Sequence, residues 1–348
     1  MTRASNSERR LVIIGGSAAG MAAAQAIRET DDSSRVTILS EEPDHPYFRP
    51  LIPFLINGKK SAEQMLLSGR GPYDKVEEIE IRTHSRVTKV DPESKEVIVE
   101  DGSKVGFDAL LVASGSSPYI PPEIEGTNIP GVYALRTLKD ARDMERRAAN
   151  TTRAILLGGG LLNLKAAFSL LERGIGVTLV VYSPEVLSQL MEPDDAGLIR
   201  SALDRAGLEI MTGCSAKTIL DGDHGVSGVA LDNGQTIDCQ MVCIGKGVRP
   251  RVEFLSESGL ELDRGVVVDQ NTKTSADDIY AAGDVAVTFD LISGDRMMTA
   301  LWTNAVEMGR CAGFNMAGQP KPYAGTFGIL NATQVADEPF VSMGTVHT

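Results

Sequence analysis

Residues 11–41 read LVIIGGSAAGMAAAQAIRETDDSSRVTILSE, and their order decides the fold. A short apolar run beginning at Leu11 reads as a buried strand and stops at a glycine-rich turn, Gly15-Gly16-Ser17-Ala18-Ala19-Gly20. An alanine-rich helical stretch follows, then a second strand that starts Val36-Thr37. Strand, glycine turn, helix and strand make a βαβ unit. Residues 154–182, AILLGGGLLNLKAAFSLLERGIGVTLVVY, repeat that order, again with a second strand that starts Val-Thr.

Working outward, each unit is followed by a set of short strand-like runs. Residues 83–112 contain VTKV, EVIVE and ALLVA with turns at DPES and DGS; GVSGVAL, DNG and MVCIG follow the second unit. Both sets read as small β-meanders. The Pro- and Gly-rich stretch 114–131, SGSSPYIPPEIEGTNIPG, marks a domain boundary. Residues 279–284 return to a strand and a Gly-Asp turn, so the second unit is inserted into the first. The expected class is α/β, with two Rossmann-like dinucleotide-binding domains of the three-layer ββα type. The first is discontinuous, over 1–118 and 245–325; the second covers 119–244; residues 326–348 open a further, shortened domain.

In the first unit Gly15 allows the tight turn and Gly20 lets the helix approach the strand. Free N–H groups at the helix start, with their partial positive charge, suit a pyrophosphate, and Ser17 is small enough to leave the approach open. The next strand ends at Ser40-Glu41, where a carboxylate can accept ribose hydroxyls. In the second unit Gly158 and Gly159 keep the pattern, but the third glycine is Asn163, whose bulk is expected to loosen helix–strand packing. The acid position falls on Val181 or Tyr182, with Glu185 a displaced substitute and no arginine for a 2′-phosphate. Either NAD(H) binds here, with NADH favoured over NADPH, or this is a Rossmann domain kept for structure.

Ala113-Ser114-Gly115-Ser116-Ser117-Pro118 resembles the ATGxxP turn of the flavoprotein pyridine nucleotide-disulfide oxidoreductases. Ile279-Tyr280-Ala281-Ala282-Gly283-Asp284 is similar to that family's second FAD motif, and Gly247-Val248-Arg249-Pro250 to the turn before it. Within the family, EEPDHPYFRPLIPFLINGK at 41–59 and ALWTNAVEMGRCAGFNMAG at 300–318 resemble the NADH oxidase, ferredoxin and rubredoxin reductase, and nitrite reductase branch. The resemblance implies FAD at Gly15, Ser17, Ala18, Ala19, Gly20, Ser40, Glu41, Arg49, Pro50, Val87, Ala113, Ser114, Gly115, Arg136, Gly283, Asp284, Trp302, Asn304 and Ala305. It implies NAD(P)H at Gly158, Gly159, Gly160, Leu161, Leu162 and Gly247. Trp302 is either a flavin neighbour or a plain core aromatic.

Three departures from the family pattern matter. The segment after Glu41 has Pro50 and Pro53 but no cysteine, so disulfide or peroxide chemistry of that type is not expected. Lys165 stands where relatives often have a glutamate; it is either a cation beside the nicotinamide and flavin or an ordinary exposed helix lysine. Relatives continue into an interface domain of which FGILNATQVADEPFVSMG resembles the opening, so the chain is expected to be shortened or completed by another subunit.

Bulk properties narrow the partners. A net charge of −13 and a pI near 4.9 argue against nucleic acid and anionic membranes. No stretch approaches the roughly 20 apolar residues of a membrane span, and MTRASNSERR does not read as a signal peptide, so the cytoplasm is expected. Cys214, Cys239, Cys243 and Cys311 are scattered and suit a reduced compartment. Cys239 and Cys243 are read as one face of a single strand, two buried small hydrophobes rather than a redox pair. His45, His84, His224 and His347 have no metal-ligand spacing, so no metal is expected. Hydride transfer needs two stacked rings and no nucleophile. The expected function is an FAD-dependent oxidoreductase transferring electrons between NAD(P)H and an external acceptor, an iron–sulfur or rubredoxin-like protein or a small molecule, or else an FAD-carrying subunit of a larger redox complex, inactive alone and in hetero-oligomeric association.

Overall fold

A computed structural model describes residues 8–67, 79–336, 338–344 and 346. The chain divides into two compact units: Met1–Phe48 with Leu66–Ser117 and Arg249–Gly328, and Arg49–Met65 with Pro118–Val248 and Ile329–Thr348. Among the described residues its α-helices are α1 (Ala18–Thr30), α2 (Pro53–Ile56), α3 (Leu138–Ala148), α4 (Leu161–Leu171), α5 (Pro193–Arg205) and α6 (Trp302–Met316).

The first unit is built on a parallel sheet in the order Ile279–Ala281, Ala109–Val112, Arg10–Ile14, Arg35–Leu39, Glu80–Arg82. Ile13 lies opposite both Ile38 and Leu111. Leu11, Val12, Ile13, Leu110 and Leu111 are all buried, which is why these strands are continuous apolar runs rather than alternating ones. The strand at 279–281 adds beside Ala109–Val112, so the late segment does return to the first sheet. Helix α6 lies against α1 because both are lined with small residues. A Cβ on Gly309 would stand 2.2 Å from the Ala19 carbonyl oxygen, and one on Gly313 2.3 Å from that of Ala23. The third layer is an antiparallel sheet of Val87–Asp91, Glu96–Val99 and Lys104–Gly106. Its DPES turn is held by Asp91, whose carboxylate accepts from the amides of Glu93 and Ser94.

The second unit repeats the plan. Its parallel sheet runs Glu209–Thr212, Gly176–Val181, Arg153–Leu157, Met241–Ile244, Val132–Tyr133, and its antiparallel sheet is Ala216–Gly222, Gly225–Leu231, Thr236–Asp238. Two strand readings need correction. ALLVA and MVCIG were expected in the meanders but supply the parallel-sheet strands Ala109–Val112 and Met241–Ile244. All four residues of each strand are buried, as a strand covered on both faces must be, whereas the meander strands Val87–Asp91 and Gly225–Leu231 carry exposed positions.

Residues 49–65 belong with the second unit. Leu55 and Ile56 of α2 are buried there, and the turn after it is anchored by Asn57 and Lys59 on the Glu172 carboxylate (both 2.6 Å) and by Arg173 on the Ile56 carbonyl (2.7 Å). The segment after Gly328 forms a hairpin, Asn331–Val335 with Glu338–Ser342, in the second unit. Glu338 pairs with Arg205 at the end of α5 (3.3 Å). Among the described residues, no helix is long and apolar enough to cross a membrane.

Candidate functional site

Gly15 and Gly20 lack side chains by necessity. Gly15 has φ +108°, and a Cβ there would stand 2.2 Å from the Ala113 carbonyl oxygen. A Cβ on Gly20 would stand 1.9 Å from the Gly15 carbonyl oxygen. Either substitution drives carbon into backbone, which cannot yield cheaply. Helix α1 begins directly after this turn, with Ser17 at its N-cap. The Ser17 side chain makes no capping bond and the first turn holds no acid, so the amides at the start of α1 keep their capacity for an anion.

Two other segments meet this turn within the same unit. Gly283 has φ +80°, and a Cβ there would touch the Cβ atoms of Ala19 (3.1 Å) and Ala305 (3.4 Å). The Gly-Asp turn, the start of α1 and the start of α6 therefore converge, and Asp284 stands at their junction. Ser116 Oγ donates to Asp284 Oδ2 (2.8 Å). Ala113 continues the parallel strand, its amide donating to the Ile14 carbonyl (2.8 Å). Ser40 is buried at the end of the neighbouring strand, bonded through its backbone to Arg82 and Ser85. Beyond it Glu41 forms an ion pair with Arg251, a residue that sequence reasoning missed. Ser114 and Gly115 are bonded to the backbone of Arg251, by Ser114 Oγ to its carbonyl (2.9 Å) and by its amide to the Gly115 carbonyl (3.0 Å).

The remaining expected FAD residues stand on α6, on the antiparallel sheet and in the second unit. Trp302 opens α6 and meets Phe48 edge-on, ring centroids 4.7 Å apart at 68°. Asn304 Nδ2 donates to Tyr323 Oη (3.2 Å) and Thr326 Oγ1 (3.0 Å), which ties the start of α6 to the 323–326 segment. Val87 is buried opposite Val99 in the antiparallel sheet. Arg49, exposed Pro50 and Arg136 fall in the second unit, where Arg49 Nη1 donates to the Arg136 carbonyl (2.8 Å). His45, His84 and His224 are exposed, and His347 lies outside the described residues. Among the described residues, no group of His, Cys, Asp and Glu side chains could hold a metal.

In the second unit Gly158 repeats Gly15. It has φ +111°, and its Cβ would stand 2.3 Å from the Gly245 carbonyl oxygen. Gly159 faces Val181, and Gly160 caps α4 with nothing near its missing side chain. Leu161 and Leu162 form the first turn of α4, and Gly247 (φ +98°) accepts from the Tyr119 amide (2.9 Å). Asn163 corrects an expectation: it does not loosen the packing. It is 2% exposed, and Nδ2 donates to the carbonyls of Leu157 and Gly158 (both 2.9 Å). The space for its bulk comes from Gly245, where a Cβ would stand 2.3 Å from Asn163 Oδ1.

At the acid position Val181 is buried and Tyr182 is 74% exposed. Glu185 stands 3.9 Å from Arg200 Nη1, too far for a hydrogen bond, and its Oε2 is buried without a hydrogen-bond partner. Lys165 is half-buried rather than an exposed helix lysine, and burial lowers its pKa.

A model of the pyridine nucleotide-disulphide oxidoreductase family matches residues 9–309. The chain belongs to that family. NADH oxidase of Methanocaldococcus jannaschii is 31% identical over 317 residues, 89% of this chain and 70% of that protein. Subunit epsilon of the NADH-dependent phenylglyoxylate dehydrogenase of Aromatoleum evansii is 31% identical over 338 residues, 97% of this chain and 79% of its own length. Rubredoxin-NAD(+) reductase of Pseudomonas putida is 28% identical, covering 90% of this chain and 81% of that protein. The crystal structure of a ferredoxin reductase from Rhodopseudomonas palustris superposes with a TM-score of 0.89 over 97% of this chain and 83% of that one, at 24% identity, which shows the shared fold.

As a member of this family the chain is a flavoprotein oxidoreductase with FAD as cofactor and NAD(H) as substrate. The first unit fits FAD on its own geometry: a tight turn that only glycine at 15 and 20 permits, helix amides without a capping side chain directly after it, and two carboxylates, Glu41 and Asp284, on the segments beside it. Its cysteines set it apart from the disulphide chemistry of the family name. All four are free and buried. Burial pushes the thiols of Cys239 and Cys243 up to about 12, which leaves almost no nucleophilic thiolate near neutrality. The expectation of one strand through both is corrected. The strand covers Met241–Ile244, and Cys239 precedes it, next to Gln240, whose side-chain oxygen accepts from the amides of Thr152 and Arg153.

Proposed function

We propose that this chain is a reductase that takes a hydride from NADH and delivers electrons to an iron–sulfur or rubredoxin-type protein. The observation that carries the reading is the glycine turn before the uncapped start of α1, in a chain with no cysteine in the segment after Glu41. Bound FAD supplies the exchange between a two-electron hydride donor and one-electron carriers. The protein's part is grip and direction. The amides of Ser17, Ala18 and Ala19 hold the pyrophosphate, Glu41 accepts from the adenosine ribose, and Asp284 accepts from the ribityl chain. The start of α6 presents its amides and partial positive charge to the flavin ring, with no acid in its first turn to oppose them. Gly158, Gly159 and Gly160 hold the NADH pyrophosphate, and Lys165, on the helix that follows them, supplies a cation near the nicotinamide. In this reading the first unit is the FAD domain, the second the NAD(P)H domain, and the site lies in a reducing compartment that keeps four buried thiols free.

A second reading has two observations behind it. The acid position of the second unit is Val181-Tyr182, and the relative matched over 97% of this chain is named as one subunit of a dehydrogenase. On this reading the chain is the FAD-carrying member of a multi-subunit complex and exchanges electrons with an iron–sulfur subunit. Anaerobic mixing of the purified flavoprotein with NADH separates the two. Rapid bleaching of the flavin absorbance supports the reductase. A flavin that stays oxidised with NADH and NADPH, but is reduced by an iron–sulfur partner protein, supports the subunit.

A further inference from the structure

Arg251 is held along its whole length. Its amide donates to the Gly115 carbonyl (3.0 Å), its carbonyl accepts from Ser114 Oγ (2.9 Å), and its Nε donates to Ser117 Oγ (2.7 Å). The far end of the guanidinium then pairs through Nη1 with Glu41 Oε1. The two side chains are 28% and 37% exposed, so the pair is partly shielded from water. Ser116, between two of these anchors, donates to Asp284. The Ser114–Ser117 turn is therefore bonded to Arg251 on one side and to Asp284 on the other.

We propose that Arg251 is a positioning residue for FAD: it fixes the Glu41 carboxylate as the acceptor for the adenosine ribose hydroxyls. This rests on the FAD reading of the cradle. A glutamate at a strand end loses rotamer freedom when it binds a diol, and that cost falls on the bound state. Arg251, itself anchored to the 114–117 turn, removes part of it in advance. The planar guanidinium stays charged and is directed by its bond to Ser117, which a lysine could not copy. Holding Oε1 leaves Oε2 of the same carboxylate to accept from a hydroxyl. Through Ser117 and Ser116 the turn links the acid at the adenosine end to the acid at the ribityl end.

The test is flavin and adenosine binding to the full-length apoprotein, with FAD, ADP and FMN as probes, for wild type, Arg251→Gln, Glu41→Gln and the double variant. Arg251→Gln should weaken FAD and ADP by about 10- to 100-fold, the size expected for a charge-assisted contact. FMN, which lacks the adenosine end, should change by no more than about 2-fold, which also reports that the variant is folded. The double variant should bind FAD no more weakly than the weaker single variant, and Arg251→Lys should restore FAD affinity only in part. Unchanged FAD affinity in Arg251→Gln overturns the inference, as does equal loss for FAD and FMN, which would mean a merely structural role. A wild-type chain that binds none of the three overturns the FAD reading itself, so the two failures are told apart.

Discussion

Asn163 and Gly245 should behave as one packing unit, and their coupling can be worked out from the structure. An alanine Cβ at 245 would lie 2.3, 2.4 and 2.5 Å from Oδ1, Cγ and Nδ2 of Asn163, about 1 Å inside ordinary contact. Asn163 cannot swing into solvent, because it is 2% exposed and tied by Nδ2 to the carbonyls of Leu157 and Gly158. Overpacking of this kind costs about 1–3 kcal/mol, and displacing Asn163 forfeits two hydrogen bonds at about 1 kcal/mol each. Gly245→Ala should therefore destabilise by about 3–5 kcal/mol.

Asn163→Gly alone should cost about 2–3 kcal/mol, from the two lost bonds and the flexibility of glycine in a helix turn. The Leu157 carbonyl keeps its bond from the Gly245 amide (2.8 Å), so it is not orphaned. In the double variant the obstacle to the new methyl group is gone, and the total should stay near 2–3 kcal/mol instead of the sum of the singles. Urea unfolding followed by far-ultraviolet circular dichroism measures all four proteins. A double variant that costs the sum of the two singles, within about 0.5 kcal/mol, would refute the reasoning.

Three further outcomes follow. Asp284→Ala should purify with little flavin, read as flavin absorbance per protein, because the carboxylate that Ser116 orients is lost; full flavin content would show that Asp284 is not a cofactor ligand. Gly309→Val should lower the melting temperature by several degrees, since its Cβ would stand 2.2 Å from the Ala19 carbonyl oxygen between α1 and α6; an unchanged melt would refute the close approach. Arg82, with Arg35 and Thr37, holds the Glu80 carboxyl down to about 2 against the opposing effect of burial. A depressed carboxyl stabilises fully above its unfolded value near 4.5 and loses that contribution as pH falls through about 2. Stability of Glu80→Gln should therefore depend less steeply on pH across that window than wild type, as acid titration by circular dichroism would show.

What was legible in the sequence is what single residues or short spacings demand. A positive φ at Gly15 and Gly158, and a close approach at Gly20, can be met by glycine alone, so the two glycine turns are written locally. The apolar run before each glycine turn announces a buried strand, and the Gly-Asp turn at 283–284 announces the return to the first sheet. The missing cysteine after Glu41 is equally a property of the string.

The tertiary structure decided everything that depends on residues remote in the chain. Whether Glu41 stands alone or beside Arg251, whether Asn163 strains its turn or is accommodated by Gly245, and which unit holds α2 depend on contacts without period or spacing. Gly309 and Gly313 look like ordinary helix glycines until α1 is laid against them. ALLVA and MVCIG could serve a meander or a core sheet, and only burial on both faces tells which, because a short apolar run satisfies either until the layers around it are in place.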